Sequence, residues 1–396
     1  ENDTALLRNG GSTTIAPLTN DFDPSGGILV LQSVKTPPDS GVTVTVVDHS
    51  LLQISAASTV PANLTVEYTV TNGTSSATGK VAIVPVTQSQ PQPPVVTNDT
   101  AVVRAGDVVT ASVLDNDSSP AGLNLSVDSQ VSLVGDELGT AWVSENTVRF
   151  RAGNQPGRTS YAYTAKDDQG QTASGVLTVE VRAQDAEHNS APSPRNLEAR
   201  TLAGSTTNIT VPLDGIDPDG DSVSLVGLNQ APSLGSVEIN SSWLTYTPSE
   251  GATGTDTFTY VVEDRFGAQA TGTVRVGVAQ ASPLNVAPVA TDDLVVAKPG
   301  RTVAVDVLSN DLDTDGDSLS LEGDPVSSDP SLGVSTRAGR LVLDLPEKEG
   351  NHSVTYTVSD GRGGTDTGTV TVQVSSNAPL ANPVGVDDYV TVDQVD

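Results

Sequence analysis

The stretch Leu308-Ser-Asn-Asp-Leu-Asp-Thr-Asp-Gly-Asp-Ser-Leu-Ser-Leu-Glu322 joins an acidic loop to the start of a β-strand. Its aspartates alternate along the loop, and Gly316 follows them where a chain that turns back on a cation needs a positive φ. Ser318 to Leu321 then alternate polar and apolar side chains, which is the period of a strand and not of a helix. The stretch therefore predicts an acidic loop between two strands, and it excludes the exiting helix of a helix–loop–helix calcium motif.

Alternating carboxylates in a tight loop suit Ca²⁺, which binds six to eight oxygen ligands. At ~6 Å, each pair of like charges costs roughly 0.7 kcal/mol in water and about 3 kcal/mol at an effective dielectric constant of 20. A bound cation would remove this repulsion, and we therefore favour a calcium site in this loop. The alternative is a solvated turn whose aspartate side chains accept hydrogen bonds from backbone N–H groups.

Composition limits the class of protein. The 396 residues contain only 3% aromatic residues and are rich in Val, Thr, Ser and Gly, which favours an all-β fold. No run of apolar residues is long enough to insert into a membrane. The net charge of −30 makes nucleic acid a poor partner and divalent cations a good one. A chain without cysteine forms no disulfides, and one without methionine is expected to be a processed or excised piece.

A tyrosine recurs at a nearly constant interval and indicates tandem domains. Tyr68, Tyr163, Tyr260 and Tyr356 lie 95, 97 and 96 residues apart, and each stands in an alternating segment such as Thr-Tyr-Thr-Val. An interval of this length corresponds to one small domain. The sequence predicts repeat one at 1–86, repeat two at 97–183, repeat three at 195–280 and repeat four at 289–375, with a fifth repeat beginning at 386–396. Both ends are therefore expected to be cut from a longer array.

Seven short alternating segments per repeat predict a tandem array of seven-stranded immunoglobulin-like β-sandwiches. In repeat four, strands A to G are expected at 293–297, 301–307, 318–322, 332–336, 340–345, 353–359 and 367–374. Because seven strands alternate in direction, strand A begins at one pole of the sandwich, the leading pole, and strand G ends at the opposite, trailing pole. The B–C and F–G loops then lie at the leading pole, beside the joint with the preceding repeat.

This geometry predicts which carboxylates meet. In repeat four the expected calcium ligands are Asp292, Asp293, Asp311, Asp313, Asp315, Asp317 and Asp360. Repeat three is the next candidate, with Asp217, Asp219, Asp221 and Asp264. The loops of repeats one and two lack the complete motif, so no metal is favoured there. Strand C should carry Glu322 away from the loop, which makes this residue the weakest candidate ligand.

Several motifs resemble one known family. Leu244-Thr-Tyr-Thr-Pro248, Gly254-Thr-Asp-Thr-Phe-Thr-Tyr260, the acidic loop of repeat four and Tyr356-Thr-Val-Ser-Asp-Gly361 resemble the bacterial immunoglobulin-like, cadherin-like tandem repeats of large adhesin-type surface proteins. The resemblance is strong in repeats three and four and weaker in repeats one and two. It implies a β-sandwich repeat in secreted or wall-associated bacterial proteins, in which some joints are stiffened by Ca²⁺.

Two functions are compatible with these features. The first is a structural extender or stalk: an extended rod of near-uniform repeats joined by proline-rich segments, whose partners are the neighbouring repeats. The second is an adhesive module that recognises a glycan or a protein through exposed loops. Trp142 and Trp243 are the candidates for stacking on a sugar, although core or edge packing is expected for both.

No enzymatic activity is expected. His49, His188 and His352 stand at unrelated positions of their repeats, and no serine, cysteine or aspartate motif accompanies them. The paired carboxylates lie in loops that lack the hydrophobic pocket needed to separate their protonation states. The sequence thus favours a structural or binding role.

Overall fold

The computed structural model describes residues 2–37, 40–86, 92–120, 122–144, 146–282 and 285–378. Their regular structure is all-β apart from two short 3₁₀ helices, Pro17–Thr19 and Val307–Asn310. The expected all-β class is therefore confirmed. The strand expected at 386–396 lies outside the described residues.

The strands follow the repeats predicted from the tyrosine interval. Repeat one contains β1 (Asn2–Arg8), β2 (Ser12–Ile15), β3 (Val30–Lys35), β4 (Val42–Val47), β5 (Leu51–Ala56), β6 (Leu64–Thr71) and β7 (Ser76–Val86). Repeat two contains β8 (Asp99–Arg104), β9 (Val108–Ala111), β10 (Leu125–Val127), β11 (Ser132–Leu133), β12 (Gly139–Ser144), β13 (Thr147–Ala152), β14 (Gly157–Asp167) and β15 (Thr172–Arg182).

The other two repeats have seven strands each. Repeat three contains β16 (Leu197–Leu202), β17 (Thr207–Thr210), β18 (Val223–Gln230), β19 (Gly235–Ile239), β20 (Trp243–Pro248), β21 (Gly254–Asp264) and β22 (Gln269–Ala279). Repeat four contains β23 (Asp293–Ala297), β24 (Thr302–Val305), β25 (Ser320–Ser327), β26 (Gly333–Arg337), β27 (Arg340–Asp344), β28 (Gly350–Ser359) and β29 (Thr365–Val374). Strand C of repeat four is longer than expected and carries an irregularity between Glu322 and Val326.

Two sheets pack face to face in every repeat. In repeat four the first sheet has the order β23-β29-β28-β25, and the second has the order β24-β27-β26. The first strand of each repeat runs parallel to the last, as β23 does to β29. The chain therefore enters each sandwich at one pole and leaves it at the other, as the strand count predicts.

The recurring tyrosine is the centre of each core. Tyr356 is 2% exposed and stands opposite Gly368 of the last strand, where a Cβ atom would overlap the tyrosine ring. The ring can therefore lie directly on the backbone of the neighbouring strand. The same tyrosine–glycine pairs are Tyr68 with Gly79, Tyr163 with Gly175 and Tyr260 with Gly272.

The repeats do not form the straight rod that the sequence predicts. Repeat one is folded back so that its leading pole contacts the trailing pole of repeat three. Hydrogen bonds join Ile28 N to Thr255 Oγ1 (2.8 Å), Gln32 Nε2 to Gln280 O (2.8 Å), Arg200 Nε to Leu29 O (2.7 Å) and Arg275 Nη2 to Gly26 O. Val30, Leu202 and Ala279 are buried together, and Gly316 of repeat four lies against Val46 of repeat one. These contacts join segments far apart in sequence, which local patterns do not encode.

Candidate metal centre

The acidic loop of repeat four is organised by its middle aspartate. Asp313 Oδ1 accepts hydrogen bonds from the backbone N–H groups of Asp315 (2.9 Å) and Asp317 (3.1 Å). Gly316 has a φ of +78°, which lets the chain turn back at this point. The loop is thus a side-chain-capped turn, and the second oxygen of Asp313 is left for another partner.

Three buried carboxylates converge in this loop. Asp313, Asp315 and Asp317 each offer an oxygen within 4.8 Å of the others, and we call them the repeat-four cluster. They are 6%, 3% and 8% exposed, and Asp313 Oδ2 is buried without a hydrogen-bond partner. Burial raises the pKa of Asp313 to about 6, and the charges of Asp317 and Asp315 add to this effect. At neutral pH the ionised Asp313 therefore destabilises the folded loop, and a bound cation would remove that cost.

The linker and the F–G loop close over the cluster. Val286 N of the linker donates to Asp315 Oδ2 (2.8 Å), and Arg362 Nη1 of the F–G loop lies 2.6 Å from Asp317 Oδ2. Asp360 accepts hydrogen bonds from Arg362 N (2.7 Å) and from Asn285 Nδ2 (2.6 Å). The linker, the B–C loop and the F–G loop therefore meet at the leading pole, where strand direction predicts them.

Three expected ligands of repeat four have other partners. The Tyr356 hydroxyl lies within hydrogen-bond distance of Asp293 Oδ2 (3.1 Å), Asp311 Oδ1 (3.3 Å) and nearby carbonyl oxygens, which share its one hydrogen. Asp292 Oδ1 accepts a hydrogen bond from Thr369 N (3.0 Å). The structure thus places Asp292, Asp293 and Asp311 in anchoring contacts of the sandwich and outside the group of three carboxylates. As expected, Glu322 lies in β25 opposite Thr357, away from the loop.

This tyrosine anchor was missed from the sequence, although the signal was present. The aspartate that opens each repeat recurs in step with the strand-F tyrosine. Tyr68 bonds to Asp3 and Asp21, and Tyr163 bonds to Asp99 and Asp117. In repeat three, Asn196 replaces the opening aspartate, and Tyr260 donates to the Arg195 carbonyl (2.6 Å). The opening aspartates therefore fix strand A to strand F.

Repeat three carries a second acidic group, which we call the repeat-three cluster: Asp217, Asp219 and Asp221. Asp217 Oδ1 accepts from the N–H groups of Asp219 (2.9 Å) and Asp221 (3.0 Å), the same turn as in repeat four. Burial raises the pKa of both Asp217 and Asp221. Asp264 of the F–G loop is buried, and its charge is close enough to raise the pKa of Asp217 further.

A cationic side chain already reaches the repeat-three cluster. Arg104 Nε of repeat two lies 3.1 Å from Asp221 Oδ2, and Arg104 Nη2 lies 3.6 Å from Asp219 Oδ2. Arg182 Nη1 lies 3.4 Å from Asp219 Oδ1. The repeat-four cluster instead has Arg362, which comes from its own repeat. The two clusters share a loop geometry but differ in the source of their positive charge.

Comparison with known proteins identifies the repeats. The model of the bacterial Ig domain matches residues 1–84, 91–180, 189–277 and 285–373. The chain belongs to the bacterial Ig domain family. Four such domains in tandem indicate an extracellular structural or adhesion-related segment, and they favour a non-enzymatic role. No curated protein matches the chain.

Comparison with solved structures finds distant similarity to several ectodomains built of Ig or cadherin domains. Immunoglobulin domains 1–4 of Sidekick-1 are 14% identical, with a TM-score of 0.30 and coverage of 94% of this chain and 97% of that chain. The N-terminal four Ig domains of Dscam1 isoform 1.9 are 11% identical, with a TM-score of 0.30 and the same coverage. Drosophila N-cadherin EC1–4 is 13% identical, with a TM-score of 0.23 and coverage of 94% and 99%.

The histidines and tryptophans of the bacterial Ig domains are not members of the two acidic clusters, although the charge of Asp317 acts on His49 across the contact between repeats one and four. His49 bonds to the Leu31 carbonyl, while His188 and His352 pair with Asp185 and Asp329. Trp142 is half-buried in β12 with the Arg149 guanidinium 5.8 Å from its ring centre, and Trp243 opens β20. Each tryptophan thus lies on a strand, as expected. Among the described residues, no helix is long and apolar enough to cross a membrane.

Proposed function

We propose that this chain is a stalk segment of a bacterial surface protein, and that Ca²⁺ bound by the repeat-four cluster stiffens the joint between repeats three and four. The observation that carries the calcium site is the buried, unpartnered Oδ2 atom of Asp313, which lies in a group of three buried carboxylates. Carboxylate oxygens at alternating positions are the donors that Ca²⁺ prefers. Asp313, Asp315 and Asp317 would bind the ion, and Asp360, whose charge acts on Asp315, is the candidate for a fourth carboxylate.

The proposed effect on the joint follows from the origin of the contacts. The B–C loop, the F–G loop and the linker contribute Asp313, Asp360 and Val286 to the same small region. An ion bound by both loops would hold them together. The hydrogen bond from Val286 N to Asp315 would then hold the linker against the same loops. Without the ion, the clustered negative charges repel one another, and the joint is expected to bend more freely.

Calcium titration of the full chain tests the site. We expect Asp313→Asn with Asp315→Asn to abolish calcium binding at repeat four and the associated rise in melting temperature. For the unchanged chain, calcium at a hundred times its Kd should stabilise repeat four by about 2.7 kcal/mol. Calorimetry measures binding, and thermal melts in calcium and in chelator measure the stabilisation.

Asp23→Asn is the matched control, because Asp23 organises the corresponding turn of repeat one, where Ser25 and Gly27 stand at the positions of Asp315 and Asp317. This variant should bind calcium as the unchanged chain does. Unchanged chain that binds no calcium, or equal binding by the double variant, contradicts the site.

A stalk also requires the contact between repeats one and three to open. The described part of that contact buries few apolar residues, among them Ile28, Val30, Leu202 and Ala279, and interfaces with a small apolar core are typically transient. We therefore expect small-angle scattering at moderate salt to give a longest dimension of roughly 150 Å for four sandwiches in line. A compact particle whose scattering matches the folded-back arrangement would contradict the stalk.

A further inference from the structure

Arg104 occupies a defined position in the repeat. It forms the last residue pair between the first and last strands of repeat two, where Arg104 stands opposite Arg182. The corresponding pair is Leu202 with Ala279 in repeat three and Arg8 with Val86 in repeat one. This pair lies at the trailing pole, where Arg104 of repeat two contacts the leading pole of repeat three, whereas Leu202 and Ala279 of repeat three pack against Val30 of repeat one. Repeat two therefore presents two cations to repeat three, and repeat three presents none at the same position.

The Arg104 side chain is built into the joint. It is 5% exposed, and Nη1 donates to the Ala183 carbonyl (2.7 Å) while Nε pairs with Asp221. The Arg104 backbone N–H also donates to the carbonyl of Gly220 (2.8 Å), inside the acidic loop. A Cβ atom at Gly220 would come within 2.6 Å of Val103 N, so only glycine permits this approach. Backbone and side chain together hold the guanidinium in the repeat-three cluster.

Two further ion pairs cross the same joint. Arg182 Nη1 donates to the Pro218 carbonyl (2.7 Å) and lies beside Asp219, and Arg265 Nη1 of repeat three lies 2.5 Å from Asp107 Oδ1 of repeat two. The joint between repeats two and three is therefore held by arginine–carboxylate contacts in both directions.

In the repeat-four cluster the contacting cation is a different arginine, Arg362. Arg362 comes from the F–G loop, is 24% exposed, and contacts the Ser282 carbonyl as well as Asp317. A side chain on a loop can leave Asp317 when a metal ion arrives, whereas Arg104 is fixed at the end of a strand. The corresponding pair of repeat three, Leu202 and Ala279, is neutral and packs against Val30 of repeat one, so it offers no cation to the repeat-four cluster.

We propose that Arg104 is a built-in substitute for a metal cation, which fixes the joint between repeats two and three without calcium and covers a latent calcium site in repeat three. The latent site is supported by the buried oxygens Asp217 Oδ2 and Asp221 Oδ1, which have no hydrogen-bond partner even with Arg104 in place. Removing the guanidinium leaves the three carboxylates of the repeat-three cluster around a space suited to a hard cation. The contrast with repeat four rests on the proposed function, but the role of Arg104 does not.

The test is Arg104→Leu in the full chain, which introduces the residue found at the same position of repeat three. The background is Asp313→Asn with Asp315→Asn, so that only repeat three is observed. We expect the background protein to show no calcium binding at repeat three, and Arg104→Leu to add a calcium site and a calcium-dependent rise in the melting temperature of repeat three. The affinity gain should be at least tenfold, and adding Asp217→Asn should abolish it.

Controls separate charge from geometry. Arg158→Leu removes the same charge from an exposed position of repeat two and should add no site. Arg104→Lys keeps the charge and should also add none. If Arg104→Leu prevents folding, Arg104→Gln removes the charge but keeps a donor for the Ala183 carbonyl, and the same gain is expected.

Two results would overturn the inference: calcium binding at repeat three while Arg104 is present, or folded Arg104→Leu and Arg104→Gln proteins that gain no calcium site. The proposed function is tested separately by the chain with an intact repeat-four cluster. A chain that binds calcium only after Arg104 is replaced contradicts the proposed function and supports the role of Arg104.

Discussion

Replacing Gly272 with valine is expected to unfold repeat three under conditions in which the other repeats stay folded. The Tyr260 ring lies on Gly272, and a Cβ atom there would overlap the ring. The added side chain would displace Tyr260 from the core and separate its hydroxyl from the Arg195 carbonyl. Overpacking of this kind, with loss of a buried hydrogen bond, is expected to cost at least about 3 kcal/mol.

Unfolding of repeat three can be followed by tryptophan fluorescence, because the chain has few tryptophans. The sequence contains two, Trp142 in repeat two and Trp243 in repeat three. Trp142→Phe therefore leaves Trp243 as the fluorescent reporter of repeat three. Gly227→Val is the matched control, because Gly227 lies in the same repeat with nothing within 4 Å of its Cβ position. Equal midpoints for the two variants in denaturant would show that the tyrosine–glycine contact is not what limits stability.

Replacing Asp256 with alanine is expected to destabilise repeat three by about 4 kcal/mol, since several buried donors lose a charged acceptor. Asp256 is fully buried and accepts hydrogen bonds from Ser233 N and Oγ (2.9 Å each), Leu234 N (2.8 Å) and the Tyr246 hydroxyl (2.9 Å). The carboxylate thus fixes the start of β21 to the segment before β19. The stability of Asp256→Asn should lie between those of Asp256→Ala and the unchanged chain, because an amide keeps one acceptor oxygen.

The same carboxylate gives repeat three a defined response to acid. Burial alone would raise the pKa of Asp256, but the hydrogen bonds from Ser233, Leu234 and Tyr246 together outweigh this effect, so the net pKa lies below its ordinary value. Its contribution to folding is therefore present above the ordinary value of 3.8 and is lost as the pH falls below it. Denaturant titrations should be run at neutral pH and in acid. The difference in free energy of unfolding between Asp256→Ala and the unchanged chain should be smaller in acid.

Much of the architecture was predictable because it is encoded locally. The tyrosine interval predicted the repeats, and the alternation of polar and apolar residues predicted their strands. Strand A of repeat four was predicted with its observed bounds. Strand direction placed the linker, the B–C loop and the F–G loop together, which Val286, Asp315 and Asp360 bear out. These features depend on period and direction alone.

The contacts that depend on individual atoms were not predictable in this way. Asp293 and Asp311 lie at the predicted pole, but the Tyr356 hydroxyl holds them in the sandwich. Arg104 and Asp221 are 117 residues apart, and their ion pair depends on how two repeats dock. Aligning the repeats would have shown arginine and leucine at the same position, although not that the arginine turns toward the next repeat.

The parallel pairing of first and last strands has a mechanical consequence. When an array is pulled from its two ends, tension enters each sandwich through one of these strands and leaves through the other. They are neighbours over five residue pairs in repeat four and seven in repeat one, so the load acts as shear along their whole shared length. Hydrogen bonds that cross between two sliding strands share the force and must fail together, whereas bonds in a peeled hairpin fail one at a time. Each sandwich is therefore expected to resist stretching well beyond what its modest core alone would suggest.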